Sequence, residues 1–124
     1  MDKEYYSWTE FEEDMKKMIG RIRESGAKLH SVWGPPRGGL VPAVILSHAL
    51  KIPLEKYCPS FEELMMRNIL IVDDIADTGK TLEQFRNHSF IVTLYYHQQS
   101  IVIPDIWLRE KLDRWIIFPW ELKT

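Results

Sequence analysis

Cysteine is almost missing from this chain: Cys58 is the single one in 124 residues. That excludes an internal disulfide framework and a cysteine metal cluster, and leaves Cys58 to be read as a half-buried thiol. The four histidines, His30, His48, His88 and His97, have no metal-ligand spacing. No apolar run reaches membrane length, and no basic-then-apolar leader opens the sequence, so a cytoplasmic protein is expected. Excess charge of either sign is also absent. With 16 basic and 18 acidic residues the net charge is −2, which argues against a general binder of nucleic acid or anionic membranes. Repeats, low-complexity stretches and linkers are lacking too. Residues 1–124 therefore read as one domain, with hydrophobic residues at 45%, enough for a single core.

What the chain does have is concentrated in 68–81. The run Ile69-Leu70-Ile71-Val72 is apolar and mostly β-branched, as for a parallel strand covered on both faces. Two carboxylates, Asp73 and Asp74, follow at once. Successive side chains on a strand point to opposite faces, so both reach one crevice only if the strand ends there, at the carboxyl edge where open α/β sheets bind ligands. The turn Ala76-Asp77-Thr78-Gly79-Lys80-Thr81 then offers backbone N–H groups, two hydroxyls, a permissive glycine and a cation. Leading into the amphipathic start of a helix at Leu82, it forms an anion cradle. Carboxylates beside an anion cradle suit a substrate carrying both a phosphate and diols, with a divalent cation. Gly79-Lys80-Thr81 looks like the tail of a nucleotide-binding P-loop, but the glycine that must precede it falls at Asp74, so that reading fails. The bland alternative, a solvated turn with a helix cap, leaves the whole constellation to accident.

Upstream, the strand-like 29–33 runs into Gly34-Pro35-Pro36-Arg37-Gly38-Gly39. A helix over Leu40–Leu50 follows, with Pro42 tolerated in its first turn. The glycines let backbone approach a ligand, and Arg37 has a fork of donors suited to phosphate oxygens. Taken alone, a Pro/Gly turn with one arginine is usually only a turn. At the other end, Asp113-Arg114-Trp115-Ile116-Ile117-Phe118-Pro119-Trp120 is too aromatic for an exposed tail, and is read as packing on the domain, in part as an edge strand. Residues 7–25 form an amphipathic helix with Trp8, Phe11, Met15, Met18 and Ile22 as its core stripe, Ser7 or Thr9 as cap and Gly26 as terminator. The alternation of strands and helices argues for a parallel α/β sheet.

The stretch 72–81 resembles the phosphoribosyl-diphosphate (PRPP) motif of the type I phosphoribosyltransferases: an apolar run, two acids, two residues, then Asp-Thr-Gly-x-Thr. Arg37-Gly38-Gly39-Leu40-Val41-Pro42 is similar to the diphosphate loop of the 6-oxopurine enzymes, most closely the xanthine-guanine type. Asp113-x-Trp115-Ile116 with a later Pro119-Trp120 resembles their base-stacking segment. The resemblance implies a three-layer, Rossmann-like phosphoribosyltransferase fold with a mostly parallel sheet flanked by helices. It implies transfer of the 5-phosphoribosyl group from PRPP to a purine in purine salvage, with Mg2+ as cofactor; the aromatic content of the chain favours a homodimer. By matching position, Asp73 and Asp74 hold the ribose hydroxyls with Mg2+ nearby. Arg37, Gly38 and Gly39 hold diphosphate, and Ala76, Asp77, Thr78, Gly79, Lys80 and Thr81 hold the 5′-phosphate. Asp77 accepts the base proton, Trp115 stacks on the base, and Ile116 and His97 flank it. The family often has a non-proline cis peptide before this arginine, and the matching bond is Pro36–Arg37.

Two departures stand out. A lysine that often reads the purine 6-oxygen in the family is matched here by His97, whose charge depends on pH. Between Leu50 and Asn68 the family has two strands and a long mobile loop that closes over the site. Here only 51–67 is present, with 61–66 helical, so the hood is reduced. Two other readings follow from this: a PRPP- or nucleotide-binding regulatory protein with weak or no turnover, and a transferase with a non-purine acceptor.

Overall fold

A computed structural model describes residues 2–121. The order is β1 (Asp2–Tyr5), α1 (Trp8–Ser25), β2 (Ser31–Trp33), α2 (Leu40–Leu50), α3 (Phe61–Met66), β3 (Ile69–Ala76), a 3-10 turn (Glu83–Phe85), β4 (Phe90–Tyr96), β5 (Ile106–Glu110) and β6 (Arg114–Ile117). The start of α1 is set by a reciprocal capping box. The Glu10 amide donates to Ser7 Oγ at 3.1 Å, and the Ser7 amide donates to the Glu10 carboxylate at 3.2 Å. Gly26, at φ 72, ends the helix in the left-handed conformation. Among the described residues no helix is long and apolar enough to cross a membrane.

The main sheet is parallel throughout, in the order β2-β3-β4-β5. Strand alternation divides its side chains between two cores. Val32, Leu70, Val72, Val92 and Leu94 face α1 and α2, where they meet Met18, Ala43 and Leu46. Trp33, Ile69, Ile71 and Ile91 face the other way, onto Leu64 of α3, Leu82 and Phe85 of the turn, and Val102. Burial on both faces explains why 69–72 is apolar without alternation. Each fully buried Leu or Ile in it contributes roughly 1.5–3 kcal/mol. The architecture is the three-layer α/β arrangement expected, with a second helical layer reduced to α3 and one turn.

Several elements differ from the sequence-based expectation. The strand read as ending after Val72 continues to Ala76, because its partner β4 supplies a ladder that far. The helix expected from Leu82 is a single 3-10 turn. The chain must return from the carboxyl end of β3 to the amino end of β4, roughly 23 Å for a seven-residue strand. After the loop, 83–89 must cover that distance, and a helix of that length covers only about 10 Å. The short strand expected before α3 is one bridge, Val32 to Leu54. Strand β5 lies in a stretch for which no strand was expected, and so does β1, whose alternating charges hide its pairing. Trp8, assigned to the core stripe, is 55% exposed and rests edge-on against Phe11 and Trp120. Cys58 is exposed rather than half-buried.

β1 and β6 form a separate two-stranded parallel sheet, with Lys3 opposite Trp115 and Glu4 opposite Ile116. A polar cluster fastens the chain that leaves β1 to α1 and β5. Asp14 is buried, and its Oδ2 accepts from Tyr6 Oη at 2.6 Å and Arg109 Nε at 2.7 Å. Arg109 also reaches Glu10 at 3.0 Å. Burial, reinforced by the Asp14 carboxylate, pushes the Tyr6 phenol well above its ordinary value, so it remains a donor. Removing the acid strands the Tyr6 phenol and leaves the guanidinium with Glu10 alone. Asp14→Ala is therefore expected to cost about 3 kcal/mol, the low end for breaking a buried pair because Arg109 keeps a third of its side chain exposed. Urea unfolding of wild type and variant checks this.

Candidate active site

The site grows from the carboxyl end of the parallel sheet. On β3, Asp73 shares the face of Ile69 and Ile71, and Asp74 the face of Leu70 and Val72. Because the strand does not stop at Val72, the two acids leave it in opposite directions. Asp74 points towards the Pro/Gly loop: a Cβ on Gly38 would collide with its carboxylate. Asp73 is 8% exposed, and its Oδ1 accepts the Asp74 amide at 2.9 Å. The hydroxyl of Thr93, its neighbour across the ladder, is buried without a hydrogen-bond partner.

Burial raises the proton affinity of both carboxyls, and the charge of Asp74 adds to the effect at Asp73. A cation or a set of hydroxyl donors would relieve the crowding. Mg2+ commonly takes one or two carboxylates and completes its shell with phosphate oxygens and water. Asp73 and Asp74 fit that role only as part of a shell, since among the described residues no three His, Cys, Asp or Glu side chains converge.

The loop that follows is anchored at both ends. The His97 amide donates to Ala76 O at 2.9 Å and the Ile101 amide to Thr78 O at 2.9 Å. Gly79 has φ 84 and lies against the 100–102 strap. A Cβ there would come within 2.6 Å of Ser100 Oγ, so the turn needs glycine for both dihedral and space. The Lys80 amide donates to Thr78 Oγ1 at 3.3 Å. Asp73, Asp74, Asp77, Thr78, Gly79, Lys80 and Thr81 line one cavity of about 230 Å³. With no helix behind the loop, any anion there is held by turn N–H groups, hydroxyls and Lys80, not by a helix dipole.

The Pro/Gly loop flanks that cavity. The Pro36–Arg37 peptide bond is cis, as the resemblance implied. Arg37 is exposed. Gly39 opens α2 with no side-chain cap, and a Cβ on it would stand 2.5 Å from Val72 O, so loop and strand are in direct contact.

A second cavity of about 280 Å³ is lined by His97, Gln98, Glu110, Lys111, Leu112 and Asp113. One ion pair joins it to the first. Lys111 Nζ, on a side chain only 10% exposed, lies 3.0 Å from Asp77 Oδ2. The same ammonium sits over the Trp115 ring, 5.9 Å from its centroid, and Trp115 is 55% exposed. Asp77 also accepts from Gln99 Nε2 at 3.2 Å. His97 is tied into its own turn, with Nδ1 accepting the Gln99 amide at 3.1 Å. Ile116 lies beside Trp115 on β6. Its side chain is buried in the first core and leaves only backbone to flank a ligand, because it follows Trp115 by one residue on a strand.

Lys111 and Gln99 escaped the sequence reading. Lys111 stands in Arg109-Glu110-Lys111, indistinguishable from a solvated charged stretch, and only the β4–β5 pairing turns it inward. The segment that should supply a hood lies elsewhere. Leu64 and Met65 of α3 line a cavity of about 450 Å³ with Leu29, Asn68 and Phe90, at the amino-terminal end of the strands. That cavity has no carboxylate and none of the loop amides.

The Asp73–Asp74 pair makes a stability prediction. A carboxyl whose pKa is raised by folding binds its proton more tightly in the folded chain. Its contribution is fully present below the ordinary carboxylate pKa, and is lost as pH rises towards the raised value. Asp73→Asn should therefore raise the melting temperature at pH 8 by about 4 °C, a gain that shrinks towards pH 4. Thermal unfolding at the two pH values checks it.

No family model matches the chain. It is 33% identical to a xanthine-guanine phosphoribosyltransferase of Cereibacter sphaeroides, over 95% of this chain and 86% of that one. Among solved structures, a purine phosphoribosyltransferase of Pyrococcus horikoshii superposes with a TM-score of 0.84 and 34% identity, over 100% of this chain and 97% of that one. A xanthine-guanine-hypoxanthine phosphoribosyltransferase of Helicobacter pylori shares the fold at 20% identity, with a TM-score of 0.81 over 97% of this chain and 94% of that one.

Proposed function

This chain belongs to the purine phosphoribosyltransferases, the PRPP-dependent enzymes of purine salvage, and we propose that its acceptor is a 6-oxopurine. The observation that carries the reading is the Asp77–Lys111 ion pair at 3.0 Å, which joins a carboxylate-and-amide cavity to one beside an exposed indole. A substrate with a phosphorylated ribose in the first and a flat base in the second has its reacting carbon between them.

In this reading the 5′-phosphate lies on the 76–81 loop and is held by its amides, the Thr78 and Thr81 hydroxyls and Lys80. The ribose hydroxyls face Asp73 and Asp74. The leaving diphosphate lies beneath Arg37, Gly38 and Gly39, where glycine backbone offers donors at close range and Arg37 adds a bidentate fork. The family generally uses Mg2+ with PRPP, and here the ion would sit by Asp74, with Asp73 beneath. Bound there, it would neutralise charge developing on the diphosphate. Trp115 orients the base by stacking. In the same reading Asp77 takes the proton that the base nitrogen releases as the new bond to C1 forms. Holding base and C1 in one geometry is the larger part of the catalysis. We also infer a homodimer, since Leu40, Val44 and Ile45 leave an apolar strip exposed on α2.

With Mg2+ and PRPP, the protein is expected to release diphosphate and form nucleotide from at least one of guanine, hypoxanthine and xanthine. Binding of PRPP without product from any of these or from adenine would defeat the proposal. Trp115→Ala should lower kcat/KM for the base about 5- to 150-fold, as loss of 1–3 kcal/mol of stacking implies, while PRPP affinity stays within error. Unchanged kcat/KM would point to a non-purine acceptor.

A further inference from the structure

The least exposed cation of the two site cavities is one that sequence reasoning passed over. Lys111 belongs to no recognised motif, yet its side chain is 10% exposed and its ammonium is aimed between Asp77 and the face of Trp115. Its backbone is fixed, because the Lys111 amide donates to Tyr96 O at 2.8 Å and so extends the β4–β5 ladder past Glu110. An ammonium has three donors and no acceptor. Asp77 takes one, leaving two for a ligand. His97, the other nitrogen base at this cavity, has one ring nitrogen committed to the Gln99 amide and can offer a single donor.

The geometry points to Lys111 as the residue that selects the base, by donating to an oxo group on the purine edge and repelling an amino group at the same position. This inference rests on the purine phosphoribosyltransferase reading above. A ring stacked on Trp115 brings its edge to the ammonium that already lies over that indole. An exocyclic oxygen there accepts a charge-assisted hydrogen bond. An exocyclic amino group would set donor against donor beside an ammonium that is itself largely buried, which is the arrangement that gives strong discrimination. Asp77 has a part in this too, since its carboxylate holds the ammonium in place. Selection and proton acceptance are thereby coupled through one ion pair.

Titration calorimetry of the full chain with inosine and adenosine monophosphates tests this at equilibrium, with turnover of hypoxanthine and adenine as the kinetic counterpart. Wild type should prefer the oxo nucleotide by at least ~30-fold. Lys111→Met should weaken the oxo nucleotide by a similar factor and leave the amino nucleotide and PRPP within about threefold, so that the preference collapses. Lys111→Arg, which keeps the charge, should retain most of it. Equal weakening of both nucleotides by Lys111→Met would mean a structural role and overturn the inference. So would loss of preference in His97→Ala with the preference intact in Lys111→Met. Wild type that binds PRPP but shows no preference defeats this inference alone. Wild type that binds neither PRPP nor a nucleotide defeats the functional reading beneath it.

Discussion

Strand β3 is the constraint on which the rest depends. It is covered on both faces and paired on both edges, so its carboxyl end is held to the precision of the core itself. Two carboxylates mounted there are desolvated by the same packing that makes the strand rigid. Their raised proton affinity is therefore a by-product of burial, and it leaves a site that favours a cation and hydroxyl donors. The adjoining loops meet this strand at close range. Gly39 stands against Val72 O and Gly38 against the Asp74 carboxylate, contacts that no side chain would permit. The Pro/Gly loop and the two acids are thus in register because glycine lets two backbones touch.

Economy of chain elsewhere has visible consequences. The crossover after the 76–81 loop is a run of i→i−3 turns around one 3-10 turn and never becomes an α-helix. The loop thereby loses a helix dipole and relies on amides, hydroxyls and Lys80. Residues 51–67 spend themselves on one bridge and on α3, which packs at the far end of the strands and contributes nothing above the site. Among the described residues, 51–67 place no element over the carboxyl edge. Closure of the kind that excludes water in larger relatives of this fold would have to come from another copy or from the ligand itself.

The small β1–β6 sheet shows how the base side is assembled. Glu4 accepts from Tyr95 Oη at 2.6 Å, and Tyr6 packs edge-on against Tyr95 and Phe118. The Asp14–Arg109 pair binds α1 to β5, the strand that delivers Lys111. The amino terminus therefore supports the base-side cavity without touching it. Trp115 stands in β6, held in register by Lys3, with its ring left half in solvent for a partner.

Much of this was legible in the sequence because it is local. The apolar run, the acid pair and the Thr-Gly-x-Thr turn are contiguous, and strand end, loop and glycine need follow from neighbours in the chain. The caps of α1 at Ser7 and Gly26, the bounds of α2 and α3, and the extent of β4 follow from the same short-range rules of capping, periodicity and β-branching. What escaped was set by partners distant in sequence. β1 is charged and looks like a solvated start until β6 pairs with it, and β3 runs on to Ala76 only because β4 is there. Ile116 turns inward because Trp115 turns outward. Lys111 lies in a stretch of charges with no pattern of its own, and only the β4–β5 ladder carries it to Asp77, 34 residues away. The sequence by itself determined the apolar run of β3, the acids and the turn after them, because strand and turn chemistry act over a few residues. The tertiary structure decided that Lys111 meets Asp77 and Trp115, because that depends on how strands are set side by side.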